Sequence, residues 1–210
     1  MGVRPGVQRH LTRPHSRRRL RCSKAHTALY HAFTSVIFTA TLAFIFVQII
    51  TRLLERLSAV KIGDSLGSEM LAHEGAAMGP VVSRPQFDKI WAYIDEAIAG
   101  GLPLLYGGNR GMVTGLGKGY FIPPTVFADV PTDAKVWNEE IFGPVLCLRR
   151  FSSEQEALVI ANANSYGLAG AVFSQDAARC TRVAAALRCG IVWKNCSQVT
   201  IDSTALPTPP

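Results

Sequence analysis

Apolar residues along this chain recur with two periods, and the changes between them divide the sequence into helices and strands. Ile49, Ile50, Leu53, Leu54 and Leu57 repeat at three and four, which predicts an amphipathic helix ending near Gly63. Phe87, Ile90, Trp91, Ile94, Ala97 and Ile98 predict a second one. It opens at Ser83-Arg84-Pro85-Gln86, an S-x-x-Q capping box with proline in the first turn, and closes at Gly100-Gly101. Residues 102–106 read as a short strand. From Asn138 the pattern becomes regular: a strand over 144–148, a helix capped at Ser153-Glu154-Gln155-Glu156 with Ala157, Ile160 and Ala161 on one side, and a strand over 169–173. A helix capped by Asp176 follows, with Cys180, Val183, Ala184 and Leu187 on one face, closed by Gly190, and then a strand over 191–195. Strand, helix, strand, helix, strand at this spacing predicts right-handed crossovers and parallel strands covered on both faces. The expected class is therefore α/β, with ligands collecting at the carboxyl ends of the strands.

One apolar stretch does not fit this rhythm. Residues 28–50 carry no formal charge, and a run of that length is enough to span a bilayer core of about 20 residues. Upstream, residues 1–27 are rich in arginine and free of acids, like the positive flank of a membrane anchor or an organelle transit peptide. The competing reading gives Ile49 and Ile50 to the soluble amphipathic helix. Charge sharpens the division. The 210 residues carry a formal net charge of +7, yet Arg4, Arg9, Arg13, Arg17, Arg18, Arg19, Arg21 and Lys24 all precede residue 50 with no acid among them. The basicity belongs to this leader and the remainder is close to neutral. No aromatic residue is interleaved with the arginines, so a nucleic-acid-binding arm is not indicated.

The chemistry is narrowed by what the sequence omits. Cys22, Cys147, Cys180, Cys189 and Cys196 are odd in number and never spaced C-x-x-C, which indicates neither a zinc ribbon nor a disulfide framework. His73 is the only histidine after residue 31, so a histidine triad or a multi-histidine metal site is not expected. The glycine-rich stretch over 107–119 is not a phosphate loop: Gly115-Leu116-Gly117-Lys118-Gly119 has no serine or threonine after its lysine, and Met112 stands where the first glycine is required.

Several short blocks, in order, carry a family resemblance. Met78-Gly79-Pro80-Val81-Val82-Ser83, Gly119-Tyr120-Phe121-Ile122, Pro124-Thr125-Val126 and Glu139-Glu140-Ile141-Phe142-Gly143-Pro144-Val145 are joined by Tyr166-Gly167-Leu168-Ala169, Val192-Trp193 and Asn195-Cys196-Ser197-Gln198. Together they resemble the NAD(P)-dependent aldehyde dehydrogenases, most of all the plant-type betaine aldehyde or aminoaldehyde enzymes. The resemblance covers residues 49–198 and implies part of a catalytic domain. A basic leader over 1–27 and the apolar segment 28–50, expected as a helix, precede it, and a proline-rich tail over 199–210 follows.

The resemblance implies NAD or NADP as cofactor and a small aldehyde as substrate, in cytoplasm or plastid. It assigns Glu140 to the nicotinamide ribose hydroxyls and the Phe142 ring to the nicotinamide, with Gln86, Lys89 and Leu168 near the cofactor. In such enzymes a cysteine in a Gly-Gln-x-Cys motif attacks the aldehyde. Here its place near Phe33 holds apolar residues, and Cys22 lacks the motif, so no catalytic residue is assigned. Three functions follow as expectations: an active oxidoreductase, a truncated form without turnover, and a non-catalytic module that is either membrane-anchored or associates with full-length subunits as a homo- or hetero-oligomer.

Overall fold

Alternate residues of the same strands supply the two faces of a central sheet, and each face is covered by one long helix. The computed structural model describes residues 36–40, 43–113, 116 and 118–196. Its elements are β1 (Val36–Ala40), α1 (Ala43–Ser58), β2 (Lys61–Ile62), α2 (Ser68–Leu71), β3 (Ala77–Met78), α3 (Arg84–Ala99), β4 (Leu104–Tyr106), a 3-10 turn (Arg110–Val113), β5 (Thr125–Phe127), α4 (Lys135–Asn138), β6 (Val145–Phe151), α5 (Glu154–Ala161), β7 (Ala169–Val172), α6 (Ala177–Ala186) and β8 (Ile191–Lys194). The main sheet has the order β1-β6-β5-β4. β1, β6 and β5 run parallel, and β4 closes the far edge antiparallel to β5.

The period of two decides what each helix covers. On β6, Val145 and Cys147 join Phe127 of β5 against Ile90, Trp91, Ile94 and Ala97 of α3. Leu146 and Leu148 face the other way with Val126, against Ile50, Leu53, Leu54 and Leu57 of α1. Ile90, Ile94 and Phe127 are fully buried, and burying each stabilises the fold by roughly 1.5–3 kcal/mol relative to leaving it in water. Both amphipathic helices are thus where their periodicity predicts, although α1 ends at Ser58 rather than near Gly63.

The apolar stretch is not one helix. Residues 36–40 form β1, paired along β6 from Val36 with Cys147 to Ala40 with Phe151, and α1 begins at Ala43. Among the described residues no helix is long and apolar enough to cross a membrane. The physical reason lies in residue type: Val36, Ile37, Phe38 and Thr39 are β-branched or aromatic, which suits a pleated strand with a partner edge available. α1 carries Arg52, Glu55 and Arg56 and lies on the sheet by its leucine stripe. The leader, Cys22 and the proline-rich tail lie outside the described residues.

The C-terminal region also departs from expectation. β7 and β8 pair in parallel, from Ala169 with Ile191 to Val172 with Lys194, with α6 as their crossover. They form a sheet of their own, while β6 has β5 and β1 as its neighbours. This small unit is tied to α5 by polar contacts. Arg182 donates two hydrogen bonds of 2.7 Å to the Glu154 carboxylate, and the Asn162 side chain bridges Ala186 O and Arg188 N. Phe173 and Ile191 remain largely exposed, so the β7–β8 sheet is not covered on both faces.

Candidate cofactor site

The segment from Glu139 to Gly143 links α4 to β6 and is laid across one face of α3. Three α3 residues at i, i+3 and i+7 hold it. Gln86 Nε2 donates to Ile141 O at 2.8 Å and to Phe142 O at 3.0 Å. Lys89 Nζ donates to Glu140 O at 3.0 Å, and the Tyr93 hydroxyl donates to Glu139 Oε2 at 2.5 Å. Ser83 does cap α3, accepting from Gln86 N. The Gln86 side chain, however, reaches across to the next segment, where the S-x-x-Q motif directs it back to the cap.

Within the segment Glu139 and Glu140 are both exposed, and burial alternates from Glu140 to Gly143. Ile141 is buried in the α3 cluster, while Glu140 and Phe142 face solvent. Phe142 adopts a left-handed backbone with φ 56°, a conformation that costs a non-glycine residue of order 1 kcal/mol and is sustained by surrounding contacts. Gly143 then passes directly over α3. A Cβ there would meet Ile90 Cδ1, Cγ1 and Cγ2 at 2.6, 2.7 and 2.8 Å, so only glycine allows the segment to lie this close. Lys89 Nζ sits 5.7 Å from the centre of the Phe142 ring and 5.7 Å from that of Tyr93, and Lys135 Nζ lies 5.0 Å from the latter.

The electrostatics follow from these contacts. The hydrogen bond to Glu139 and then burial push the Tyr93 phenol up to about 12, with smaller contributions from the Glu139, Glu96 and Tyr166 charges. Burial likewise pushes the Cys147 thiol up to about 12. Its Sγ is directed at Val136 O at 3.4 Å inside the core, so it is unsuited to act as a nucleophile. Among the described residues no cluster of His, Cys, Asp and Glu is arranged to hold a metal ion.

Four of the five residues marked in the sequence, Gln86, Lys89, Glu140 and Phe142, therefore meet on one patch. Leu168 sits at the entrance to β7, where its carbonyl accepts from Ile191 N, and its side chain is 83% exposed. Tyr93 and Glu139 were not singled out in the sequence. The signal was available in the helical spacing, since Tyr93 lies one turn beyond Lys89.

Such a patch presents an acceptor-only carboxylate beside an exposed aromatic ring, a combination able to accept two hydroxyl donors and flank a planar ring. Residues 42–207 match the profile described as Aldehyde dehydrogenase family. The chain belongs to the aldehyde dehydrogenase family. It is 48% identical over 151 residues to the chloroplastic betaine aldehyde dehydrogenase of Beta vulgaris, an alignment covering 72% of this chain and 29% of the relative. Over the same length it is 44% identical to the peroxisomal aminoaldehyde dehydrogenase 2 of Pisum sativum, covering 28% of it.

Solved family members share the fold. A betaine aldehyde dehydrogenase point mutant from Staphylococcus aureus in complex with NAD+ superposes with a TM-score of 0.66 at 37% identity, over 75% of this chain and 31% of that one. Mycobacterium tuberculosis aldehyde dehydrogenase complexed with NAD+ gives 0.68 at 32% identity, over 77% and 32%. This chain spans less than a third of the length of the curated relatives it matches.

Proposed function

We propose that this chain carries the nicotinamide-ribose portion of an NAD(P)-dependent aldehyde oxidation site, with betaine aldehyde or an aminoaldehyde as substrate. The observation that carries the reading is the convergence of Gln86, Lys89, Glu140 and Phe142 on one patch, in a chain similar to enzymes crystallised with NAD+. The donor set fits. A carboxylate offers only acceptors, matched to the two hydroxyl donors of a ribose. The 45% exposed Phe142 ring leaves apolar surface for a planar heterocycle.

When bound, NAD(P) accepts the hydride that leaves the aldehyde carbon. The chain's own residues orient it. Glu140 fixes the ribose, and Phe142 limits tilting of the ring. Gln86 and Lys89 act on the backbone, keeping both side chains turned outward. Fixing the ring in this way contributes through orientation rather than bond-making.

The sulfur nucleophile of the family is not assigned to any residue here. The exposed Phe173 and Ile191 on the β7–β8 sheet support association with further polypeptide of the same family. A plastid setting is favoured by the acid-free, arginine-rich leader together with the chloroplastic relative.

The test is direct. Nicotinamide mononucleotide titrated into the labelled chain is expected to shift the amide resonances of 86–93 and 139–143, and Glu140→Gln to weaken the interaction about tenfold. Shifts confined to other regions, or an unchanged affinity in the variant, refute the assignment.

A further inference from the structure

Glu139 and Glu140 are chemically identical neighbours and both are exposed, yet the Tyr93 phenol engages only the Glu139 carboxylate. We propose that the Tyr93–Glu139 hydrogen bond is a positioning pair: it commits Glu139 to α3 and thereby presents Glu140 as the outward carboxylate. The inference rests on the nicotinamide-ribose reading of this patch and names what selects its key residue.

Three observations converge on it. First, the other two α3 contacts grip only carbonyl oxygens, Glu140 O from Lys89 and Ile141 O and Phe142 O from Gln86. Such bonds fix where the segment lies but do not depend on which side chains it carries. Tyr93 is the α3 residue of this row that hydrogen-bonds a carboxylate of the segment, whereas Lys89 also stands 5.7 Å from the Phe142 ring. Second, the geometry is committed. The phenol reaches Glu139 Oε2 at 2.5 Å from a ring that is only 7% exposed and has two lysine ammonium groups near it. A buried hydroxyl with a charged acceptor is expensive to leave unpaired. Third, the extended backbone at Glu139 sets the two side chains apart. Glu139 has an extended conformation with φ −112° and ψ 151°, and its N–H is tied to Lys135 O. In extended chain, neighbouring side chains point to opposite sides. Directing Glu139 towards α3 sends Glu140 away from it.

Tyr93 touches no reacting group in this arrangement, so it is a positioning residue acting through Glu139. Its removal should disturb the segment before it disturbs the fold, because Tyr93→Phe keeps the buried ring and deletes only the hydroxyl. The decisive experiment follows amide hydrogen exchange and melting temperature in Tyr93→Phe, Glu139→Ala, the double variant and Glu139→Gln. The same proteins are titrated with nicotinamide mononucleotide.

Exchange at residues 140–143 is expected to rise about tenfold in both single variants and no further in the double variant, the non-additivity of a shared contact. Glu139→Gln retains an oxygen that accepts the phenol's hydrogen bond and is expected to recover most of the protection. Mononucleotide affinity should fall about tenfold in Tyr93→Phe and track the exchange. Exchange that rises equally across the molecule makes Tyr93 an ordinary structural residue and overturns the proposal, as does an unchanged 140–143 segment or strict additivity. A wild-type chain that fails to bind the mononucleotide removes the cofactor reading instead, and the exchange arm still decides the role of the pair.

Discussion

Replacing Gly143 by alanine tests a close approach that positions the site. The backbone there is not left-handed, so an alanine carries no conformational penalty and its cost is steric. The new methyl would stand 2.6–2.8 Å from three atoms of Ile90, a side chain with no exposed surface and packed among Trp91, Ile94 and Val145. Overpacking of this kind costs about 1–3 kcal/mol. With three simultaneous overlaps the upper half of that range is expected, a fall in melting temperature of roughly 5–10 °C for a chain of this size.

The partner can be removed to isolate the cause. Ile90→Ala alone leaves a cavity and costs about 2–5 kcal/mol, but that cavity admits the methyl at 143. The double variant should therefore be more stable than the sum of the singles by about 0.5–3 kcal/mol. Urea denaturation followed by tryptophan fluorescence measures all four proteins. A Gly143→Ala protein within about 0.5 kcal/mol of wild type, the usual range for surface changes, or strictly additive losses, would falsify the steric argument.

Two further outcomes follow from titratable groups. Glu154 is held below the usual carboxylate range by its hydrogen bonds from Arg182, Glu156 by those from Ser152, and Asp176 by the backbone N–H groups at the start of α6. Folded values lower than unfolded ones mean that this stabilisation is present above about pH 4.5 and lost as pH falls through the folded values. Amide exchange at pH 3 should show α5 and α6 losing protection before α3, and the reverse order would contradict the assignment. Because burial places the Cys147 thiol at about 12, its thiolate fraction at pH 8 is about one in ten thousand. Iodoacetamide should leave Cys147 unlabelled in the native chain and label it in urea, read by mass spectrometry, and native labelling would show that the α3 face of β6 opens.

How much of this was legible in the sequence depended on how local each signal was. The stripe on α3 and its Ser83 cap are decided within one helix, and both were readable from spacing. Glu140 and Phe142 were readable through the resemblance carried by Glu139-Glu140-Ile141-Phe142-Gly143. The apolar run stayed open between a membrane span and soluble structure because an apolar strand and a span share the same hydropathy, and the pairing with β6, more than a hundred residues away, distinguishes them. The separate β7–β8 sheet was no more legible, because strand order along the chain does not say which strands pair. Gln86 shows a finer limit. Its motif promised a bond to its own cap, and a pair of carbonyls from a distant segment competed successfully for the same amide. Tyr93 escaped notice for the same reason, since its acceptor is 46 positions further along.

The parallel pairing of residue 36 with residue 147 also sets a schedule for synthesis. Val36, Ile37 and Phe38 leave the ribosome early, and the strand that completes their hydrogen bonding is not made until roughly 110 residues later. At about 5–20 residues per second that delay is on the order of 5–20 s. Throughout it the leucine stripe of α1 is equally without the strands it covers, because Val126 and Leu148 have not emerged. Of the paired strands described, β1 therefore waits longest for its partner, and its apolar residues are exposed to aggregation on the ribosome for that interval.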